Sequence, residues 1–323
     1  MNIALDRRAA LGLLGLSLTH FTIAADWPRK PVRMVVPAAA GSPPDVIARV
    51  LSDRLAILLR QQFLVENRQG GSGVVAMNTI KRAAADEHVF LLAQAAAVTV
   101  TPHVNASAHY DVDAELAPIA MVGVGPLMMV ASAHSGIETL TDFLKIARSR
   151  TAPPNLAVTG TYSLPHLTAE IVKRAAGLSV NIVPFSSSGA ALTAVLNGDA
   201  AALIDGIPGV DAMVKGGRVR PLAVTSLTRI ASAPGVAPFA DVFPGLEVNG
   251  WFVLFGKKET STNVIQALNA AVNKALAQPS VRSQLVGLGV LPRPLDPAKT
   301  AAFVNAERRR WGTLVSELGI KAQ

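Results

Sequence analysis

The residues of this sequence that could do chemistry gather in short turns rather than in an acid–base cluster. Ala38-Ala39-Ala40-Gly41-Ser42 precedes Asp45, Gly160-Thr161-Tyr162-Ser163 precedes His166, and Ser186-Ser187-Ser188-Gly189 precedes an apolar helical run. Each turn follows a short apolar strand pattern and opens a helix pattern. At such a junction backbone N–H groups point outward without partners and favour anions. Thr159, Thr161, Ser163 and Ser186 would add hydroxyls at the anion end. Ala95, at the exit of another strand pattern, and Phe185 and Asp205, at the ends of two more, complete the candidate ligand-binding set. Asp45 reads either as the acid of a capping box or as a cleft residue. Asp205, just before Gly206-Ile207-Pro208, reads equally as a structural or a cleft residue. A charge on His166, in the first turn of a helix, would oppose the helix dipole, so a neutral hydrogen-bonding role is expected. Catalytic signatures are missing: there is no Gly-x-Ser-x-Gly, no phosphate-binding Gly-Lys-Ser/Thr loop and no His-Glu-x-x-His. Gly123-Val124-Gly125 lacks the third glycine of a dinucleotide fingerprint, and the six histidines lack ligand spacing. The chemistry on offer is binding, with no catalytic residue, metal or cofactor expected.

These turns need a scaffold of alternating strands and helices. Strand patterns fall at 34–37, 63–66, 89–93, 156–159, 180–185, 201–204, 221–225 and 251–255. Helix patterns fall at 43–60, 74–85, 140–148, from 165 onward, at 190–197, up to 215, and then at 263–277, 279–287 and 297–318. In the first helix Ile47, Val50, Leu51, Leu55 and Leu58 recur at three- and four-residue steps and make one apolar face. The alternation predicts an α/β fold of mostly parallel sheets flanked by helices. Apolar pieces at 119–122 and 127–131 read as a crossing into a second domain, and 251–255 as the return. The expected division is a leader at 1–25, domain 1 at 26–123 and 250–323, and domain 2 at 124–249. Two connecting strands would form a hinge, with a cleft between the domains where small-molecule sites tend to lie.

A length of 323 residues suits two domains. Half the residues are apolar but only 5% are aromatic, so Ala, Val and Leu must fill the core. The net charge is +8, yet Lys and Arg are scattered. The one tight run, Arg308-Arg309-Arg310, lies in a helix pattern that divides it between faces, so no nucleic-acid partner is expected. The absence of cysteine rules out disulfides, thiolate metal sites and a Cys nucleophile, and is compatible with an oxidising compartment. At the N-terminus, Arg7-Arg8, the apolar run 9–18 and Thr22-Ile23-Ala24-Ala25 describe a secretory signal cleaved after Ala24 or Ala25. The run is shorter than the about 20 residues a membrane span needs; an N-terminal anchor or a buried helix is the alternative. The Arg pair leaves twin-arginine export open beside the general route. Cleavage would remove Arg7, Arg8 and Asp6 and take the charge from +8 to +7, and the mature chain would be exported.

The stretch from Trp27-Pro28 through Lys30-Pro31-Val32-Arg33-Met34-Val35-Val36-Pro37 resembles the opening of the Bug-type receptors. These are the extracytoplasmic solute-binding proteins of tripartite tricarboxylate transporters. Val65-Glu66-Asn67-Arg68, Ser163-Leu164-Pro165-His166-Leu167, Val183-Pro184-Phe185, Pro221-Leu222-Ala223-Val224-Thr225-Ser226 and Trp251-Phe252 follow in the family's order, over essentially the whole mature chain. The resemblance implies a two-domain periplasmic binding protein fold, type II-like, with a small carboxylate clamped between the domains. It also implies that backbone amides and ordered waters hold the anion rather than an Arg, that a membrane permease receives the ligand, and that the protein is not an enzyme. A monomer is expected; the alternative partner is a membrane sensor kinase. The departures bear on the ligand. Where the family's first turn reads Pro-Phe-x-Pro-Gly-Gly, two small residues and Asp, this chain has Pro37-Ala38-Ala39-Ala40-Gly41-Ser42-Pro43-Pro44-Asp45. Pro43 and Pro44 have no N–H to offer, and a hydrogen bond to a charged partner is worth about 1.5–3 kcal/mol. Ala95-Ala96-Ala97 replaces small polar residues and Gly, and Tyr162 stands where the family prefers Gly. A pocket poorer in donors and more apolar predicts a ligand with one carboxylate and an apolar or aromatic body.

Overall fold

The computed structural model describes residues 27–84, 88–148 and 152–319; the expected leader at 1–25 lies outside them. The first strand, β1 (Val32–Val36), sends alternate residues to opposite faces. Val32, Met34 and Val36 enter one core with Ile47, Leu51 and Leu55 of α1 (Pro43–Leu59), while Val35 enters another with Met77 and Ile80 of α2 (Val74–Arg82). β2 (Phe63–Asn67) and β3 (Val89–Gln94) flank β1, both parallel to it. Helix α3 (Ala95–Thr99) starts directly after β3, at the strand exit that holds Ala95; the alanines there are strong helix formers. Two more short helices, α4 (Thr101–Val104) and α5 (Val112–Glu115), lead into β4 (Leu116–Ser132).

β4 merges the two expected apolar pieces into one 17-residue strand. Register shifts between Pro118 and Ala120, Met121 and Gly123, and Met129 and Val130 let it bend as it passes from one part of the sheet to the other. Next come α6 (Leu140–Ala147), β5 (Asn155–Thr159), α7 (Leu164–Ala176), β6 (Asn181–Phe185) and α8 (Ser188–Asn197). β7 (Ala202–Gly206), α9 (Ile207–Lys215) and β8 (Val219–Val224) follow. The chain returns through β9 (Asn249–Lys257) and ends in α10 (Thr262–Leu276), α11 (Pro279–Gly287), the two-residue β10 (Leu291–Pro292) and α12 (Pro297–Glu317). Helix starts are chemically marked. Ser163, Ser187, Ser261 and Asp296 each accept a hydrogen bond from the N–H three residues on, worth about 1 kcal/mol apiece.

The strand order is β2-β1-β3-β9-β4-β7-β5-β6, with β8 and β10 also paired to β4. The parallel arrangement read from the sequence holds in two trios, β2-β1-β3 and β7-β5-β6. The strands between them, β9 and β4, make only antiparallel pairs. Helices cover both faces, as the α/β class requires. In the second trio Leu156 and Val158 pack with α7, while Ala157 packs with α8 on the other side.

Candidate functional site

Where strands end and helices begin, the structure forms a half-open cavity of about 340 Å³. Its walls come from both trios. The ends of β3, β5 and β7 and the first turns of α1, α7 and α9 face it. β4 and β9 cross behind it, where Gly125 pairs with Gly250 and Val124 with Trp251. Apolar side chains dominate the lining, among them Pro44, Ile47, Leu127, Leu164, Trp251 and Phe252. The polar side chains are Gln94, Thr159, Ser163, Ser188 and Asp205, and among the described residues no Lys, Arg or His lines the cavity. Any anion bound there must be held by dipoles and hydrogen bonds.

Four of the fifteen candidates line the cavity: Ala95, Thr159, Ser163 and Asp205. The two hydroxyls among them are already engaged. Thr159 Oγ1 donates to Asp205 Oδ1 at 2.7 Å. Ser163 Oγ donates to the Thr159 carbonyl and accepts from the His166 N–H at 3.2 Å. Thr161 and Ser186 are exposed and outside the lining. Phe185 pairs with Thr159 across β5 and β6 and packs on the core beneath α8. Gly160 and Tyr162 complete the β5–α7 turn, both with positive φ, +73° and +56°. The Tyr162 ring packs beside His166, with centroids 5.8 Å apart. His166 Nδ1 accepts from the Tyr162 N–H at 2.9 Å, and burial holds the imidazole below its usual pKa against the pull of Glu170. That is the neutral imidazole expected from the sequence, used to fix the turn.

Ala38, Ala39, Gly41, Ser42 and Asp45 form the β1–α1 turn; Pro44 beside them lines the cavity and they do not. The capping box read there does not form. Ser42 is the N-cap by position, but its hydroxyl donates to the Ala39 carbonyl at 2.5 Å and accepts no helix N–H. Asp45 is 2% exposed and works as a clasp. Its Oδ2 accepts from the Gly41 N–H at 2.8 Å and Arg49 Nε at 2.9 Å, and its Oδ1 from Asn67 Nδ2 at 2.9 Å. The Arg49 hydrogen bond is the main cause that holds its carboxyl below the usual range.

Several walls of the cavity were not singled out from sequence. Leu288, Gly289 and Val290, between α11 and β10, close one side. They are held there because β10 pairs with Gly123 and Val124 of β4. Trp251 closes another; its Nε1 and that of Trp311 both donate to Glu307 Oε2 at 3.2 Å, which ties α12 to the cavity wall. Ser188 and Gly209 were missed as well. Ser188 belongs to the hydroxyl-rich turn, two residues after Ser186, and opens α8.

Residues 47–320 match the family described as tripartite tricarboxylate transporter family receptor. The chain is 30% identical to protein BugT of Bordetella pertussis, over 96% of this chain and 98% of that one. Among solved structures it is similar to Rpa4515 of R. palustris with adipate, with a TM-score of 0.83 and 27% identity, covering 92% of this chain and 100% of that one. It is also similar to MatC (Rpa3494) of Rhodopseudomonas palustris with bound malate, with a TM-score of 0.77 and 29% identity, covering 89% and 99%.

Proposed function

This chain belongs to the tripartite tricarboxylate transporter receptor family, whose members are solute-binding receptors and not enzymes, and on that footing we propose that it captures a small carboxylate in the cavity and delivers it to a transporter permease. The observation that carries this reading is the cavity itself. It is lined by strand ends and helix starts from both parallel trios, and at about 340 Å³ it lies near the lower end of the roughly 300–1,000 Å³ usual for small-ligand sites. The family's receptors are periplasmic, and among the described residues no helix is long and apolar enough to cross a membrane. We assign export to the segment 1–25 and treat the exported receptor as a monomer. The proposed domains are 26–123 with 250–323, and 124–249, hinged where β4 and β9 pair at Gly125 and Gly250.

The lining narrows the ligand further. Apolar walls, engaged hydroxyls and the missing cation favour one carboxylate on an apolar or aromatic body over a polycarboxylate. The test is a thermal-shift panel of benzoate, hexanoate, adipate, malate and citrate. A ligand at a hundredfold excess over its Kd adds about 2.7 kcal/mol, or roughly 3–6 °C for a chain of this size. Benzoate or hexanoate is expected to give that shift, and citrate and malate none. Stabilisation by citrate or malate alone would overturn the monocarboxylate assignment; no shift with any carboxylate would overturn the receptor reading of the cavity.

A further inference from the structure

Among the described residues Asp205 is the one acidic side chain in the cavity lining, and it is only 6% exposed. Its two oxygens differ. Oδ1 accepts from Thr159 Oγ1 and from the Gly206 N–H, both at 2.7 Å. Oδ2 is buried and meets full hydrogen-bond geometry with no group among the described residues, although the Ser188 hydroxyl interacts with the same carboxyl. It lies beside Gly209 at the start of α9. A Cβ on Gly209 would stand 2.5 Å from Oδ2 and 2.6 Å from Ser188 Oγ, so the bare glycine leaves a small polar niche between the two groups.

The charge around this niche is one-sided. β4, β5 and α8, which pack against β7, carry no titratable residue. α7 carries His166, Glu170, Lys173 and Arg174, and α9 carries Asp211 and Lys215; none of these lines the cavity. Arg174 donates to the Glu317 carbonyl, and Lys215 pairs with Asp211. An ionised Asp205 would therefore be a buried charge held only by neutral donors, with no cationic side chain among the described residues that line the cavity, a costly arrangement. Burial pushes its pKa up, against the smaller opposing pull of the Ser188 and Thr159 hydroxyls and the Gly206 N–H. Protonation at Oδ2 removes the charge and makes that oxygen a donor in the niche beside Gly209.

We propose that Asp205 is the specificity-determining contact of the cavity, a neutral carboxylic acid that donates a hydrogen bond from Oδ2 to the carboxylate of the ligand. This rests on the carboxylate reading above and adds what selects the ligand: an acid holding an acid, through one shared proton. Ionised Asp205 would repel the same ligand, so binding requires the proton. Above the point where free Asp205 titrates, affinity falls about tenfold per pH unit. An amine or amide ligand presenting a donor to ionised Asp205 would show the opposite trend.

The two-donor contact at Oδ1 makes asparagine an informative replacement. In D205N the amide oxygen must stay at Oδ1 to accept from Thr159 and Gly206, which places the NH₂ donor at Oδ2. Titration calorimetry with benzoate, hexanoate, adipate and malate, and with benzylamine and benzamide, at pH 5.5, 6.5, 7.5 and 8.5 tests this on the wild type, D205N and D205A. In parallel, ¹³C-carboxyl NMR of the ligand-free protein follows the Asp205 signal, assigned by its loss in D205N. The expected result is carboxylate binding that weakens with pH in the wild type and stays flat in D205N. At pH 8.5 D205N then binds at least tenfold more tightly than wild type. D205A is weaker than D205N at every pH, and the Asp205 signal titrates above the ordinary aspartates. Carboxylate binding that is independent of pH, or that Asn weakens, overturns this inference and leaves the receptor reading standing. So does an Asp205 signal that titrates with the other aspartates. Binding of benzylamine or benzamide in preference to every carboxylate overturns both, and so does a failure of all four carboxylates to bind.

Discussion

Asp45 and Asp205 are both buried acids at strand-to-helix junctions, and their surroundings push them in opposite directions. Asp45 has three donors, one of them the Arg49 guanidinium, so its ionised form is the stable one. Asp45→Ala leaves the Gly41 N–H and the Asn67 amide without their acceptor and is expected to cost about 2–4 kcal/mol, read from urea midpoints at pH 7. Because the folded carboxyl titrates below its unfolded value of about 4, its contribution is complete above that value and fades as pH falls through the folded one. The two proteins should thus converge in stability in strong acid, and a gap that stays constant to pH 2 would refute the clasp. Asp205 has the reverse sign: its pKa is raised, so the fold loses stability as pH rises through the folded value. The positions of these acids were legible in the sequence, but their roles were not, because their partners are distant in the chain. Thr159 and Asp205 are 46 residues apart and meet only because β5 and β7 pair in register; Asp45 and Asn67 are 22 apart and meet because the first turn of α1 lies beside the end of β2, whose Asn67 pairs with Val36 of β1. Spacing placed the hydroxyls of Thr159 and Ser163 at the cavity and could not reveal that both were already spent.

Among the elements, β10 does the most with the least sequence signal. Two residues are too few for any periodicity, yet its pairing with β4 fixes Leu288, Gly289 and Val290 against the cavity. Gly123 makes the close approach possible. A Cβ there would lie 2.6 Å from the Leu291 carbonyl oxygen and 2.7 Å from Val290 Cγ1, and the backbone oxygen cannot move aside without breaking the pair. Gly123→Val is expected to cost about 2–3 kcal/mol and to weaken benzoate binding at least tenfold in calorimetry. Gly287→Ala, in open space at the end of α11, is the matched control with little effect on either. Equal effects of the two substitutions would remove β10 from the account of the site. The longer elements were readable because their apolar residues repeat: the stripe at 47, 51 and 55 and the alternation within β1 both face the cores expected of them. The Gly123-Val124-Gly125 stretch was readable only as something that is not a nucleotide motif; its glycines serve close strand contacts at Leu291, Gly289 and Gly250.

For the whole molecule, the two crossings expected near Val124 and Gly250 meet as a single antiparallel pair, β4 with β9. If the parts on either side are the proposed domains, this pair is the hinge, and ligand contacts from both sides should draw them together. Small-angle scattering is expected to give a smaller radius of gyration with saturating benzoate or adipate than without; an unchanged radius under saturation would mean a preformed, rigid site. The sequence does not reveal that β9 lies between β3 and β4, since neighbours in a sheet need not be neighbours in the chain. That order has a consequence for how the polypeptide is made. Until residues 249–257 have been synthesised, β3 and β4 lack the strand that joins them, and the first parallel trio has no bonded connection to the rest of the sheet. The contacts that complete it, such as Leu91 with Phe255, join residues about half the chain apart, which makes closure slow and late. A growing chain of this protein therefore cannot complete its sheet until little more than its last three helices and β10 remain to be added.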